Sequence, residues 1–211
     1  NMGQEDVKIL RVLSASVDFN DDNFDMIQLS GSWARERHFV RQPLRSGSQS
    51  IESRRGASSH AQNPFMALAR KDTTETKGDI YGFSFVYSGN FLANVEVDMF
   101  YNSRVQIGIN PFDFSWLLKE NEEFQSPEAV LVYSPNGVTG MSHIYHNLYG
   151  KRLARGEHRD KIRPILINNW EATYFDFNET SIKNIAKEAS NLGMELFVLD
   201  DGWFGKRNND D

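Results

Sequence analysis

Alternation of apolar and polar residues dominates roughly the first two thirds of the chain. From Phe91 to Met99 every odd-numbered position is apolar, and the even-numbered positions Asn94, Glu96 and Asp98 are polar. Period-two alternation of this kind predicts a strand with one buried and one solvated face. A similar run, residues 81–87, precedes it across the turn-forming Ser88-Gly89-Asn90, so we predict that the two runs pair as a hairpin.

Further short runs surround this pair. Residues 105–109 alternate as clearly, and weaker runs occur at residues 7–17, 24–29, 37–44 and 65–70. The segment from Gly47 to Ser59 is rich in Ser, Gly and Arg, which is typical of a loop. Many short strands at roughly ten-residue spacing predict an antiparallel β-sandwich, of supersandwich type, over residues 1–137.

The pattern changes after Gly137. Apolar residues then follow helical spacing at Met141, Ile144, Tyr145 and Leu148. We predict a helix from about Thr139 to Ala154, followed by a charged connector. Residues 138–160 are therefore expected to link two domains.

The remaining residues, 161–211, are predicted to form a strand, a helix and a strand. Short apolar runs at Pro164–Ile167 and Glu195–Leu199 indicate buried strands. The helix between them would begin at Asn178 and end with Gly193 as its C′ residue. Such a unit favours a right-handed parallel crossover, so we expect the first elements of a truncated TIM (β/α)8 barrel.

Composition narrows the possible partners. Of 211 residues, 23 are Lys or Arg and 29 are Asp or Glu, which gives a net charge of −6. This charge argues against nucleic acid or an anionic membrane surface as the main binding partner. The chain has no cysteine, which excludes disulfides and thiolate chemistry. No signal peptide or spanning apolar run is apparent, so a cytoplasmic location is expected. The aromatic share of 12% suits either a β-rich core or a carbohydrate site.

Polar and aromatic residues follow both predicted parallel strands. Asn168-Asn169-Trp170 comes after the first, and Asp200-Asp201-Gly202-Trp203 after the second. Asp-Asp-Gly alone is also a common turn sequence. Ligands of α/β folds, however, bind beyond the carboxyl ends of strands, and carboxylates with an indole suit a sugar. Adjacent residues on a strand point to opposite faces, so we interpret Asp200 and Asp201 as substrate-binding residues rather than an acid/base pair.

Other candidate sites are weaker. His143 and His146 have a possible metal spacing, but no third ligand is evident, so a surface or packing role is favoured. The segment Ser53–His60 contains serine and histidine without a spacing that would define a nucleophile and its base. Asn178-Glu179-Thr180 matches a glycosylation sequon but coincides with a helix start, which favours capping. No metal or cofactor site is predicted.

The chain resembles the glycoside hydrolase family 36 α-galactosidases over nearly its whole length. The most specific motifs are Asn-Trp-Glu-Ala and Leu-Asp-Asp-Gly-Trp-Phe. They lie within the stretches 164–178 and 192–205, and the β part is similar at residues 53–65 and 87–91. The resemblance identifies the chain as an internal fragment, the C-terminal part of the family's N-terminal β-sandwich followed by the opening of its catalytic barrel.

The resemblance also implies an activity. The family's barrel tryptophan falls on Trp170, and its pair of galactose-binding aspartates falls on Asp200 and Asp201. The nucleophile and the acid/base lie on later strands, the nucleophile in a Lys-Trp-Asp motif that this sequence lacks, so no catalytic residue is expected here. The implied reaction is retaining hydrolysis of terminal α-1,6-linked galactose from melibiose and raffinose-type oligosaccharides, without metal or cofactor, in a cytoplasmic tetramer.

Two alternatives remain open at this point. One is a relative that transfers galactosyl groups or is specific for N-acetylgalactosamine, which residues on later strands would distinguish. The other is a non-catalytic sandwich module for assembly or carbohydrate binding, which a test of galactose binding would distinguish.

Overall fold

The computed structural model describes residues 1–205, which form two compact units, Asn1–Tyr149 and a second unit that begins at Gly150. The strands of the first unit are β1 (Val7–Ile9), β2 (Leu13–Phe19), β3 (Phe24–Ser32), β4 (Arg35–Pro43), β5 (Gly47–Glu52), β6 (Gln62–Arg70), β7 (Ile80–Val86), β8 (Phe91–Val97), β9 (Ser103–Ile109), β10 (Trp116–Leu118) and β11 (Glu128–Ser134).

These strands build two main antiparallel sheets. A five-stranded sheet has the order β11-β7-β6-β3-β4, and a four-stranded sheet has the order β2-β9-β8-β5. The short strands β1 and β10 pair with each other. The predicted antiparallel sandwich is therefore confirmed.

The hydrophobic core lies between the two sheets, where inward-facing positions of both contribute large side chains. Fully buried examples are Phe24, Met26, Met66 and Leu68 from the five-stranded sheet, with Phe91, Val95, Val105 and Ile107 from the four-stranded one. Burial of side chains of this size stabilises a fold by about 1.5–3 kcal/mol each. The alternating sequence pattern arises because one face of each strand joins this core.

A helix covers the opposite face of the five-stranded sheet. Helix α1 (Gly137–Leu148) contributes the buried Met141 and Tyr145 to a second apolar cluster. A Cβ atom at Gly82 of β7 would lie only 2.8 Å from Met141 Sδ and from the Tyr145 ring, so glycine is what permits this close approach. Tyr145 also donates a hydrogen bond of 3.2 Å to the carbonyl of Val130.

Helix α1 differs in its bounds from the prediction and lies in the first unit. It ends at Leu148 and continues as a π-helical segment, Tyr149–Leu153, whereas a single helix from about Thr139 to Ala154 was expected. Tyr149 still stacks on Tyr145 and packs against the second apolar cluster, but the next three residues, Gly150, Lys151 and Arg152, interrupt the apolar pattern.

Three local predictions in the sandwich are wrong. Strands β7 and β8 do not form a hairpin, because the turn Ser88–Asn90 carries the chain from one sheet to the other. Residues 47–52, assigned to a loop, form β5 and pair with β8. Met99, placed on the buried face, is 83% exposed, because Asp98 accepts hydrogen bonds from the Phe100 and Asn102 amides and ends the strand.

The second unit contains the predicted parallel pair. Its elements are β12 (Leu166–Asn168), α2 (Trp170–Thr173), α3 (Glu179–Asn191) and β13 (Leu196–Val198). Strands β12 and β13 are parallel, with Leu166 opposite Leu196 and Asn168 opposite Val198, so each strand is shorter than its apolar run. None of the helices in residues 1–205 is long and apolar enough to cross a membrane.

The predicted ends of α3 are confirmed. Asn178 Oδ1 accepts a hydrogen bond of 3.0 Å from the Ser181 amide, and Ser181 Oγ accepts one of 2.9 Å from the Asn178 amide. These reciprocal bonds satisfy donors that a helix start leaves unpaired. At the other end Gly193 has φ +88°, the left-handed conformation that favours glycine after a helix.

Candidate functional site

Polar side chains follow both parallel strands at their carboxyl ends. Asn168 is the last residue of β12, and Asp200 follows β13 by two residues. Because Asn168 pairs with Val198, the two strand ends lie side by side. Asn168 Nδ2 donates a hydrogen bond of 2.6 Å to Asp200 Oδ2, so the structure joins the two segments that the sequence placed at one rim.

The Asp200 carboxylate is held at both oxygens. Oδ2 accepts from Asn168, and Oδ1 accepts a hydrogen bond of 2.8 Å from the Asp201 amide. The backbone amide of Asp200 donates to Asn169 Oδ1 at 2.9 Å. An ionised carboxylate has about four acceptor sites, so about two remain available for donors from a ligand.

Asn169 is the buried link beneath this rim. The Asn169 side chain has no exposed surface. Its backbone amide donates a hydrogen bond to the Val198 carbonyl at 3.3 Å, and its side-chain Nδ2 donates one to Thr173 Oγ1 at 2.9 Å. Together with the bond to the Asp200 amide, these contacts connect β12, β13 and α2. A buried amide with all of these partners stabilises the local backbone, since an unpaired buried polar group is costly.

Trp170 begins α2 within an aromatic cluster. Its ring contacts Tyr174 and Phe175 edge to face, at centroid distances of 5.2 and 5.0 Å. Such packing favours one orientation of the half-buried indole. The sequence does not predict that Tyr174 and Phe175 contact Trp170, although the dense run of aromatic residues after the first strand is a signal of such packing.

Asp201 is more loosely held than Asp200. It is exposed, and within residues 1–205 no side chain donates a hydrogen bond to its carboxylate. Gly202 follows with φ +90°, and a Cβ there would lie 2.9 Å from the Phe177 ring. The two aspartates thus share one tight turn. The two carboxylates that cleave a glycosidic bond must instead face each other across that bond.

The other candidates form no catalytic or metal centre in the part of the chain that the structure describes. His143 and His146 are exposed on α1 with ring centroids 6.5 Å apart, and residues 1–205 contain no group of three or more metal-binding side chains. Asn178 serves as the cap of α3.

The Ser53–His60 segment packs against the turn that follows β7. The Gly56 amide donates to Asn90 Oδ1 and the Ser58 amide to the Ser88 carbonyl, each at 2.7 Å. The two β-part stretches that carry the family resemblance are therefore in contact with each other. These contacts give the segment a structural role.

Comparison with known families explains why a β-sandwich is followed by a pair of parallel strands with polar residues at their carboxyl ends. The model of the glycosyl hydrolase family 36 N-terminal domain matches residues 1–119, more than half of the chain. The chain belongs to glycosyl hydrolase family 36. A second model, described as Melibiase, matches residues 123–211. The predicted fold, a sandwich followed by the start of the barrel, is confirmed.

Individual relatives are α-galactosidases. Alpha-galactosidase AgaA of Geobacillus stearothermophilus is 63% identical over 210 residues, which cover 100% of this chain and 29% of AgaA. The crystal structure of α-galactosidase AgaB from the same organism aligns with a TM-score of 0.95 at 64% identity, covering 99% of this chain and 29% of AgaB. A variant of AgaA in complex with raffinose aligns with a TM-score of 0.96 at 62% identity, with the same coverage. The chain thus spans 29% of the length of these relatives.

Proposed function

We propose that this chain supplies an internal part of an α-galactosidase, namely the C-terminal part of its N-terminal sandwich and the opening of its catalytic barrel. The enzyme would hydrolyse terminal α-1,6-linked galactosyl residues of melibiose and raffinose-type oligosaccharides with retention of configuration, without a metal or cofactor. The observation that carries the proposal is the 63% identity to α-galactosidase AgaA over the whole chain. The AgaA variant that aligns at 62% identity was crystallised with raffinose, which supports the substrate class.

Within this enzyme Trp170, Asp200 and Asp201 would hold the galactose ring. The free acceptor sites of Asp200 and the exposed carboxylate of Asp201 suit sugar hydroxyls, which are hydrogen-bond donors. Hydrogen bonds to a charged acceptor contribute about 1.5–3 kcal/mol each. The indole of Trp170 would pack against the C–H face of the ring, in the orientation that its aromatic neighbours favour.

The nucleophile and the acid/base would come from later strands of the barrel. Retaining cleavage needs two carboxyl groups about 5–5.5 Å apart across the scissile bond. This sequence has no Lys-Trp-Asp motif, and its adjacent aspartates share one turn. Residues 1–211 alone should therefore cleave no glycosidic bond.

The first experiment compares the full-length protein with residues 1–211 on an aryl α-galactoside, a matching N-acetylgalactosaminide, melibiose and raffinose. We expect nitrophenol and free galactose from the full-length protein only. Turnover by residues 1–211 above a mock preparation would contradict the assignment. Preference for the N-acetylgalactosaminide, or galactosylated products larger than the substrate, would replace hydrolysis of galactosides with one of the related activities.

The second experiment tests the binding residues in the full-length protein. Asp200→Ala and Asp201→Ala should each lower kcat/KM by roughly ten- to a hundredfold, on the aryl substrate and on melibiose alike, because sugar positioning is needed whatever the leaving group. The exposed Asp176→Ala is the matched control and should leave kcat/KM unchanged. A variant that is nearly normal on the aryl substrate alone would identify that aspartate as the proton donor instead.

We also propose a cytoplasmic homotetramer that acts on soluble oligosaccharides, not on nucleic acid or membranes. The family resemblance and the net charge of −6 support this proposal. Light scattering of the full-length protein and cell fractionation test it, and a monomer or a membrane-bound enzyme would contradict it.

A further inference from the structure

One amide group joins the two segments that we propose hold galactose. Asn168 Nδ2 donates to Asp200 Oδ2 at 2.6 Å, and Asn168 Oδ1 accepts from the Trp170 amide at 2.7 Å. Both polar atoms of the side chain are thus used, and both bonds lead to residues of the proposed sugar site. Asn168 itself is half-buried at the end of β12.

The hydrogen bond from Asn168 orients the Asp200 carboxylate and still leaves some of its acceptor sites available to a ligand. Among residues 1–205, each oxygen has one donor, Asn168 for Oδ2 and the Asp201 amide for Oδ1. A carboxylate held at both oxygens cannot rotate freely about its side-chain torsions, yet about half of its acceptor sites remain open. Binding of a sugar to a group that is already oriented costs less conformational entropy.

The neighbouring asparagine has a different task. Asn169 is fully buried, and it bonds to the backbone amide of Asp200 and to Thr173 of α2. Asn169 therefore fixes the backbone conformation at Asp200, whereas Asn168 orients the Asp200 side chain. Substitution of Asn168 should for this reason alter the site while leaving the fold of the second unit intact.

We propose that Asn168 is a positioning residue of the galactose site, which orients the Asp200 carboxylate and ties it to the start of α2 at Trp170. The proposal rests on the function proposed above, since it matters only if Asp200 binds the sugar. Asn168 would have no contact with the reacting atoms. Its effect on catalysis would pass through Asp200, and this dependence is what distinguishes it from a structural residue.

The first test is a double-mutant cycle in the full-length enzyme. Asn168→Ala should lower kcat/KM about tenfold and raise the inhibition constant of galactose by a similar factor, as expected for loss of a charge-assisted hydrogen bond. In an Asp200→Ala background most of that loss should disappear, because the partner is already absent. The exposed Asn184→Ala on α3 is the matched control and should retain wild-type values.

The second test uses Asn168→Asp, which keeps an acceptor for the Trp170 amide but places a carboxylate against Asp200 Oδ2. Two adjacent carboxylates repel when both are ionised and share a proton at lower pH, which restores a hydrogen bond. The ratio of variant to wild-type kcat/KM should therefore rise as the pH falls. A structural role would give a ratio independent of pH.

Each outcome decides the matter. Wild-type kinetics for Asn168→Ala, equal losses with and without Asp200, or a flat pH ratio for Asn168→Asp would overturn the positioning role. A wild-type Asp200→Ala enzyme would overturn the proposed function of Asp200, and the positioning role with it. If Asn168→Ala does not fold, as judged by circular dichroism, the role is structural and the proposal is wrong.

Discussion

Gly202, directly after the aspartate pair, offers a sharp test of how the turn shapes the site. Its φ of +90° is costly for alanine, by about 1–2 kcal/mol. A Cβ at this position would also lie 2.9 and 3.0 Å from two carbons of the Phe177 ring and 3.4 Å from Phe175. Overpacking of that kind costs about 1–3 kcal/mol. We therefore expect Gly202→Ala to destabilise the second unit by roughly 2–5 kcal/mol.

Gly193 supplies the matched control, because its φ is +88° and a Cβ there would meet no atom within 4 Å. Gly193→Ala should cost only the backbone component, about 1–2 kcal/mol. The difference between the variants, about 1–3 kcal/mol, isolates the contact with the aromatic rings. Because the ring contact sits beside Asp201, only Gly202→Ala should disturb the site.

Amide hydrogen exchange of α3 in the full-length protein measures the stability of this unit, and kcat/KM on an aryl α-galactoside measures the site. Gly202→Ala should speed exchange more than Gly193→Ala does and should lower kcat/KM at least tenfold. Gly193→Ala should leave kcat/KM within about twofold. Equal effects of the two substitutions on exchange, or full activity of Gly202→Ala, would refute the reasoning.

Three further predictions concern stability and association. Burial raises the pKa of Asp25, but hydrogen bonds from Lys71 and Arg41, each at 2.7 Å, outweigh it and hold the pKa below its usual value. Asp25→Ala should therefore lower the free energy of unfolding by about 2 kcal/mol in urea at pH 7, while loss of the exposed ion pair in Asp18→Ala should have little effect. The Asp25 contribution should be present above the ordinary carboxyl pKa and disappear as the pH falls through the lowered one, so the wild-type and Asp25→Ala curves should converge in acid. Residues 1–211 should self-associate in light scattering through exposed apolar residues of the second unit, and Leu196→Ser should reduce this; a strictly monomeric chain would contradict it.

Elements whose ends and faces depend on neighbouring residues could be predicted from the sequence. The capping of α3 by Asn178 and the left-handed Gly193 follow from hydrogen bonds and backbone sterics within a few residues. The alternating run of β8 likewise predicts its buried face, because side chains alternate along any strand. The placement of Trp170 and Asp200 at one rim could be predicted because each follows one of two strands that run parallel.

Which strands pair and which side chains hydrogen bond to each other are determined only by the tertiary structure. Alternation shows that a strand has a buried face but not which strand lies beside it. The pattern therefore predicts a pairing of β7 with β8 that does not occur, and it does not show that β5 is a strand that pairs with β8. The same holds at the site, where Asn168 and Asp200 are 32 residues apart. The sequence predicted that both lie at one rim, but which amide hydrogen bonds to which oxygen depends on the register of β12 against β13. That register is set by packing between segments distant in the chain, which no local pattern encodes.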